Sequence, residues 1–310
     1  MGLNCQRNQA DEIWSFVSKK RRRVKSEDED MRTTHRIIFG DSRGMARLED
    51  ASVHVVVTSP PYWSIKDYEH PNQIGRNQSY EEYINDLRGV LSECYRVLHP
   101  GCRMALNIGD QYLRAKEHER YRVQPIPADL IVEARKAGFD FMGNIIWNKV
   151  STTKTSGGGQ WMGSIYYPRD GQITYEHEYI IMLKKCGKPP KVTKEQKEKS
   201  KLTKTQRSEW FRGIWKIHPE RQNGHVAMFP VELPRRLIKM YSLLGETVLD
   251  PFMGSGTTAI AAALEGRNSV GYELNEDFLS TIKGKFESIK SGLFGDFDVV
   301  YETKIKMDTG

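Results

Sequence analysis

Apolar positions along the chain fall into short blocks separated by turn residues. Order is predicted to begin at His35, with Arg36-Ile37-Ile38-Phe39 a short strand ending at Gly40-Asp41-Ser42. Val53 to Thr58 (VHVVVT) is a nearly continuous β-branched run, as expected of a strand covered on both faces of a parallel sheet. Tyr83, Leu87, Val90, Leu91, Cys94 and Leu98 then recur at helical spacing, and Pro100-Gly101 ends that helix. Met104 to Ile108 reads as a strand, Ile126 to Ala137 as a helix closed by Gly138, and Phe139 to Trp147 as a strand. Ser151 to Gly171 breaks the pattern with Thr, Ser and Gly and reads as a loop, after which Tyr179 to Leu183 is a strand. Further on come a helix at Leu233 to Ser242, a strand at Thr247 to Asp250 and a helix at Thr257 to Leu264. A strand at Ser269 to Glu273 and a helix at Phe278 to Ile289 follow. Strands alternating with helices predict an α/β, Rossmann-like, doubly wound and mostly parallel sheet, interrupted near residues 150–222.

Two segments carry chemistry. In TVLDPFMGSGTT (Thr247 to Thr258) a buried strand ends on an acid, turns on glycines and enters a helix. Gly254 and Gly256 allow close backbone approach, and the helix start at Thr257 and Thr258 offers N–H and hydroxyl donors to an anionic ligand. Seventeen residues past Gly256, Glu273 ends the next strand, where a carboxylate can take both hydroxyls of a ribose. Gly254 to Ala259 also fits the loose G-x-G-x-x-A pattern of dinucleotide sites, so a nicotinamide-dependent dehydrogenase is a competing reading. Ser59-Pro60-Pro61-Tyr62, followed by Trp63, stands at the carboxyl end of a buried strand, where α/β sheets bind ligands. The two prolines hold carbonyl acceptors in place, Ser59 adds a hydroxyl, and the aromatics add flat faces. That set suits the exocyclic amine of a nucleobase with a ring stacked on the base. No Pro-Cys dipeptide exists, which disfavours methylation at ring carbon through a cysteine nucleophile. Nothing in the loop offers a proton relay for hydride transfer.

VVVTSPPYW and VLDPFMGSGTT together resemble the S-adenosylmethionine-dependent amino-methyltransferases of DNA found in bacterial and archaeal restriction–modification systems. The order, catalytic loop first and cofactor turn last, is similar to the permuted β class, and the likeness runs from Thr34 to Ile289. It implies a class I methyltransferase sheet with an inserted target-recognition region. Ser59 and the Pro60 carbonyl would bind the target amine, Pro61 would shape the loop and Tyr62 would stack on the extruded base. Asp250, Phe252, Gly254, Gly256, Thr257 and Thr258 would line the methionine half of S-adenosylmethionine, Glu273 would take the ribose, and Asp41 would sit by the adenine amine. His225 to Pro230 (HVAMFP) resembles the segment that helps close that pocket. Arg96 to Gly101 and Ile146 to Lys149 resemble further landmarks, structural rather than chemical. A serine in the tetrapeptide is typical of members acting on N4 of cytosine, with N6 of adenine the alternative.

Charge and composition refine this picture. At 310 residues with 38% hydrophobic and 10% aromatic content, the chain can bury a substantial core. No run suggests a membrane span, and the first thirty residues hold no apolar stretch of a secretory signal. The expected location is the cytoplasm, at the nucleoid, or a nucleus if the basic run Lys19 to Lys25 serves as an import signal. The scattered Cys5, Cys94, Cys102 and Cys186 form no metal-binding pair or disulfide framework, and Glu176-His177-Glu178 is a weak metal motif, so no metal is expected.

Net charge is +7, yet Lys184 to Arg221 alone holds thirteen Lys/Arg against four Asp/Glu, so the rest sums to −2. Trp210, Phe211 and Trp215 interleave there with Lys204, Arg207, Arg212 and Lys216, a mix suited to gripping and stacking on duplex DNA. The predicted organisation is a charged tail (1–33), a catalytic half (34–149), a target-recognition region (150–222), a cofactor half (223–295) and a C-terminal extension (296–310). A cognate restriction endonuclease is the implied companion, and monomer and homodimer stay open. A non-catalytic nucleic-acid binder that has kept this fold is a third reading, opposed by the intact Ser59, Tyr62 and glycines.

Overall fold

The computed structural model describes residues 32–64, 70–149, 169, 173, 176–217, 230–290 and 297–302. The charged tail before Arg32, nearly all of the Thr/Ser/Gly-rich stretch 151–171, and residues 225–229 of the HVAMFP segment lie outside them. Eleven strands are described: β1 (Thr33–Phe39), β2 (Val53–Thr58), β3 (Leu98–Ile108), β4 (Gln111–Leu113), β5 (Arg122–Gln124), β6 (Phe139–Asn148), β7 (His177–Lys185), β8 (Ile214–Lys216), β9 (Thr247–Asp250), β10 (Asn268–Glu273) and β11 (Phe297–Glu302). The described helices are α1 (Tyr80–Val97), α2 (Ala115–His118), α3 (Ile126–Lys136), α4 (Lys194–Lys199), α5 (Lys204–Trp210), α6 (Glu232–Tyr241), α7 (Thr257–Leu264) and α8 (Phe278–Lys290).

Nine strands form one sheet in the order β11-β1-β10-β9-β2-β3-β7-β6-β8, with β7 antiparallel to both its neighbours. α1 and α3 cover one face, burying Tyr83, Leu87, Val90, Leu91, Ile126 and Leu130 against Leu106, Ile108, Ile181 and Leu183. On the other face α6 and α7 pack Leu233, Leu237, Ile238, Ala261 and Ala262 on Val55, Val57, Ala105 and Ile180. α8 joins α7 over β1 through Ile282, Phe286 and Ile289. The winding therefore reverses between β2 and β9, the place where a doubly wound sheet opens a ligand crevice at its carboxyl ends.

Helix signals were reliable because they are local. α1 starts on a capping box in which the Ser79 hydroxyl accepts the Glu82 N–H and the Glu82 carboxylate accepts the Ser79 N–H. Three departures from the sequence reading stand out. β3 begins at Leu98 and runs through Pro100-Gly101, with a register irregularity against β2 between Val53 and Val55. Gly101 takes φ +78° there, and a Cβ would stand 2.5 Å from the Pro189 nitrogen, so the glycine lets the 187–189 turn press against the strand. Phe297–Glu302, read as part of an extension, is a strand paired in parallel with β1. Within residues 150–222, β7 lies inside the sheet and β8 at its edge, while Trp210 and Trp215 are buried in the core. The expectation that these two tryptophans stack on DNA is thereby corrected: their indoles serve packing, with Trp215 donating its N–H to the Trp210 carbonyl.

Candidate active site

The carboxyl ends of β2 and β9 bring the two sequence motifs together. Asp250, the last residue of β9, is buried, and its Oδ1 accepts the Thr58 hydroxyl at 2.7 Å and the Phe252 N–H at 3.1 Å. One hydrogen bond thus ties the end of β2, where the Ser59–Tyr62 loop begins, to the start of the glycine turn, 192 residues away. Burial pushes the Asp250 carboxyl above the ordinary carboxylate range, and bonds from Thr258, Thr58 and Phe252 pull it back.

The glycine turn has the conformation its residues predict. Gly254 and Gly256 adopt φ +52° and +82°, in the left-handed region that favours glycine. Nothing lies within 4 Å of a Cβ built on Gly254, so the chain is open to a ligand there. Gly256 caps α7 without a side-chain bond, leaving the first N–H groups of that helix to face the turn. Thr257 and Thr258 are buried, and the Lys285 ammonium reaches in from α8 to the hydroxyls of Ser255 at 2.8 Å and Thr257 at 3.3 Å. Glu273 ends β10 one strand over, accepting the Gly254 N–H on one oxygen (2.7 Å) and the Asn275 N–H on the other (2.9 Å). Burial raises its carboxyl, and the N–H groups of Asn275, Gly254 and Leu274 hold it down. Asp41 follows β1, but its carboxylate accepts the Arg43 guanidinium at 3.0 Å, and Arg43 also reaches Asp86 at 2.6 Å. A ligand amine at Asp41 would share that carboxylate with arginine.

On the catalytic loop, Pro60 is buried while Ser59, Pro61 and Tyr62 are partly exposed. The Pro61 carbonyl accepts the Tyr83 hydroxyl at 2.8 Å, so α1 fixes the loop from below. Trp63, read as a flat face for a base, is instead an anchor. It is buried against Tyr80 and His118 and donates to the Gln78 carbonyl at 3.0 Å.

Beside the loop lies a polar group that the sequence reading did not bring together: Lys149 closes the Ile146 to Lys149 landmark and Glu178 belongs to the Glu176-His177-Glu178 motif. Asn107 on β3 donates to Glu178 on β7 at 2.7 Å, and Lys149, just past β6, pairs with the same carboxylate. The Lys149 ammonium also lies 4.9 Å above the Trp147 ring. A Cβ on Gly109 would stand 3.2 Å from Glu178 Cγ and 3.5 Å from Tyr62 Cε1, so Glu178 runs close alongside the tyrosine. Asp110, between β3 and β4, has its carboxyl raised by burial and lowered again by His177. His177 begins β7 with its ring edge-on to Tyr179.

The basic candidates divide. Lys204, Arg207, Arg212 and Lys216 are all exposed. Lys216 is in register with Asn148 at the carboxyl end of β6, on the edge that carries the site. Arg207 covers the Phe211 ring (4.5 Å), Phe211 meets Tyr241 at the far end of α6, and Arg212 donates to Ser208. α4 is tied to Leu244, ahead of β9, through Gln196 and Ser200, at the opposite end of the sheet from Ser59.

A doubly wound sheet with an acid-glycine cofactor turn beside a serine–diproline–tyrosine loop defines a nucleoside-cofactor transferase acting on a base amine. A family model described as DNA methylase, of the N6/N4 type, matches residues 53–284. The type II methyltransferase M.MjaI of Methanocaldococcus jannaschii is 36% identical over 302 residues, covering 88% of this chain and 97% of that protein. M.MthZI of Methanothermobacter thermautotrophicus, also a type II methyltransferase, is 35% identical, covering 84% and 79%. Among solved structures, a Thermus thermophilus protein described as a DNA modification methylase, complexed with S-adenosyl-L-methionine, superposes with TM-score 0.69 at 37% identity, covering 86% and 98%. The cytosine-N4-specific PvuII DNA methyltransferase shares the fold with TM-score 0.60 at 20% identity, covering 86% and 96%. The chain belongs to the N6/N4 DNA methylase family.

Proposed function

We propose that this methyltransferase acts on the exocyclic N4 amine of a cytosine extruded from duplex DNA, using S-adenosylmethionine. The observation that carries the reading is the Thr58–Asp250 hydrogen bond, which makes the serine–diproline loop and the glycine turn one site. The open space over Gly254, the uncapped start of α7 and the carboxylates of Asp250 and Glu273 fit the cofactor's amino-acid end, its ribose and its positive charge. When bound, the cofactor supplies an electrophilic methyl group. The remaining work falls to the chain. Ser59 and the Pro60 carbonyl accept the amine N–H bonds and draw its lone pair out of conjugation with the ring. Tyr62 stacks on the base, and Tyr83 keeps the loop from shifting by holding Pro61. The serine at position 59 supports cytosine over adenine N6, the other amine on which this family acts.

Extrusion costs a few kcal/mol, which contacts to the DNA backbone must help to offset. Lys216, at the site edge, is assigned to that task ahead of Lys204, Arg207 and Arg212. Ser59→Ala tests the assignment: turnover with duplex DNA should fall at least about a hundredfold while S-adenosylmethionine still binds in calorimetry. Normal turnover would remove Ser59 from the chemistry.

A further inference from the structure

The amide of Asn107 is oriented by its neighbours. A carboxylate only accepts hydrogen bonds, so the Asn107 amide must turn its NH2 toward Glu178, as the 2.7 Å contact shows. The other Glu178 oxygen is held by Lys149, so the carboxylate cannot swing away to release the amide. The Asn107 oxygen is then forced to the opposite side. Asn107 is 2% exposed, and that oxygen has no hydrogen-bond partner among the described residues. A buried acceptor left open beside a catalytic loop points to a donor that belongs there.

Strand geometry places a candidate donor next to it, one whose hydroxyl makes no bond to that oxygen in this conformation. The β2–β3 register runs through Val57↔Ala105 and Thr58↔Leu106, so its next step sets Ser59 beside Asn107, on strands about 5 Å apart. Val57, Ala105 and Ile180 pack in one cluster, and alternation places Ser59, Asn107 and Glu178 on that same face. A polar line therefore runs from Asn107 through Glu178 to Lys149, and the register sets Ser59 at its next step.

We propose that Glu178 is a positioning residue: with Lys149 it fixes the Asn107 amide so that its oxygen is free to accept the Ser59 hydroxyl proton when the serine side chain turns toward it for catalysis. The serine's lone pairs are thereby turned toward the target amine. The assignment rests on the amino-methyltransferase reading for its function, though the amide's orientation does not. Glu178→Gln is the informative change, because glutamine presents both a donor and an acceptor and no longer dictates which end of the amide faces it.

In the full-length protein, Glu178→Gln and Asn107→Leu should each lower the single-turnover methylation rate by up to about a hundredfold, the cost of a misplaced catalytic group. Affinity for S-adenosylmethionine should stay within about twofold. The double variant should be no slower than Asn107→Leu alone, since residues acting as a unit do not lose rate independently. Wild-type turnover in Glu178→Gln, or losses that multiply in the double variant, would overturn the proposal. A second readout needs no methyl transfer. In ligand-free protein labelled with 15N-asparagine, the Asn107 NH2 pair, identified by its absence in Asn107→Leu, should be protected from solvent exchange and lose that protection in Glu178→Gln. An unchanged pair would overturn the orientation itself. Absence of methylation by the wild-type protein, with the pair behaving as expected, would strike the enzymatic reading and not the geometry.

Discussion

Gly271, in β10, shows how closely single residues constrain this site. A Cβ there would stand 2.0 Å from the sulfur of Met253, the residue before Gly254, so any side chain pushes directly on the cofactor turn. Gly271→Ala should cost about 1–3 kcal/mol of stability as an overpacked core and weaken S-adenosylmethionine binding in parallel. Thermal melts and calorimetry check this, and an unchanged melting temperature would mean that Met253 repacks freely. The residues most legible in the sequence were those standing in contiguous strings, Ser59 to Tyr62 and Asp250 to Thr258, because one local turn presents them all. The association of Asn107, Lys149 and Glu178 was not legible. They come from β3, β7 and the residue after β6, with Glu178 lying 71 residues from Asn107 and 29 from Lys149, and each alone reads as a polar letter near a strand end. The sequence signal for Asn107 is an asparagine inside the buried apolar run Met104 to Ile108.

At the scale of elements, β1 is the seam between β10 and β11, and His35 pins it by bonding Ser269 at 2.8 Å and Thr33 at 3.2 Å. Burial lowers the His35 imidazole from 6.5 to about 4. Between those values the unfolded chain binds a proton that the folded chain refuses, so stability is full above pH 6.5 and falls as pH drops toward 4. For His35 alone the loss approaches about 3 kcal/mol. His54, lowered to about 4 by burial beside His99, adds a slope of the same sign. His35→Leu should flatten the fall in urea midpoint between pH 7 and 4.5 by roughly half, and an unaltered profile would contradict the assignment. Most elements were legible because their signals are local: the β-branched run of β2, the helical spacing of α1, the strand–glycine–helix passage into α7. The antiparallel direction of β7 was not, since partners in the sheet decide it. β11 was missed because six residues with weak alternation gain their identity only by pairing with β1.

For the whole molecule, the question is where the positive charge meets DNA. The linear count placed it throughout Lys184 to Arg221, but folding sends α4 to the end of the sheet away from Ser59 and leaves Lys216 on the catalytic edge. Lys216→Ala should reduce the slope of log affinity against log salt by about one, and a Lys194, Lys197 and Lys199 triple alanine variant should leave it unchanged. The reverse result would route the duplex over the opposite end of the sheet. The account as a whole predicts which atom receives the methyl group. Duplex DNA incubated with the protein and isotopically labelled S-adenosylmethionine, digested to nucleosides and resolved by mass spectrometry, should carry the label as N4-methylcytosine. Label on N6 of adenine would overturn the choice of base, and label on C5 of cytosine, or none, would contradict amine methylation at the serine–diproline loop.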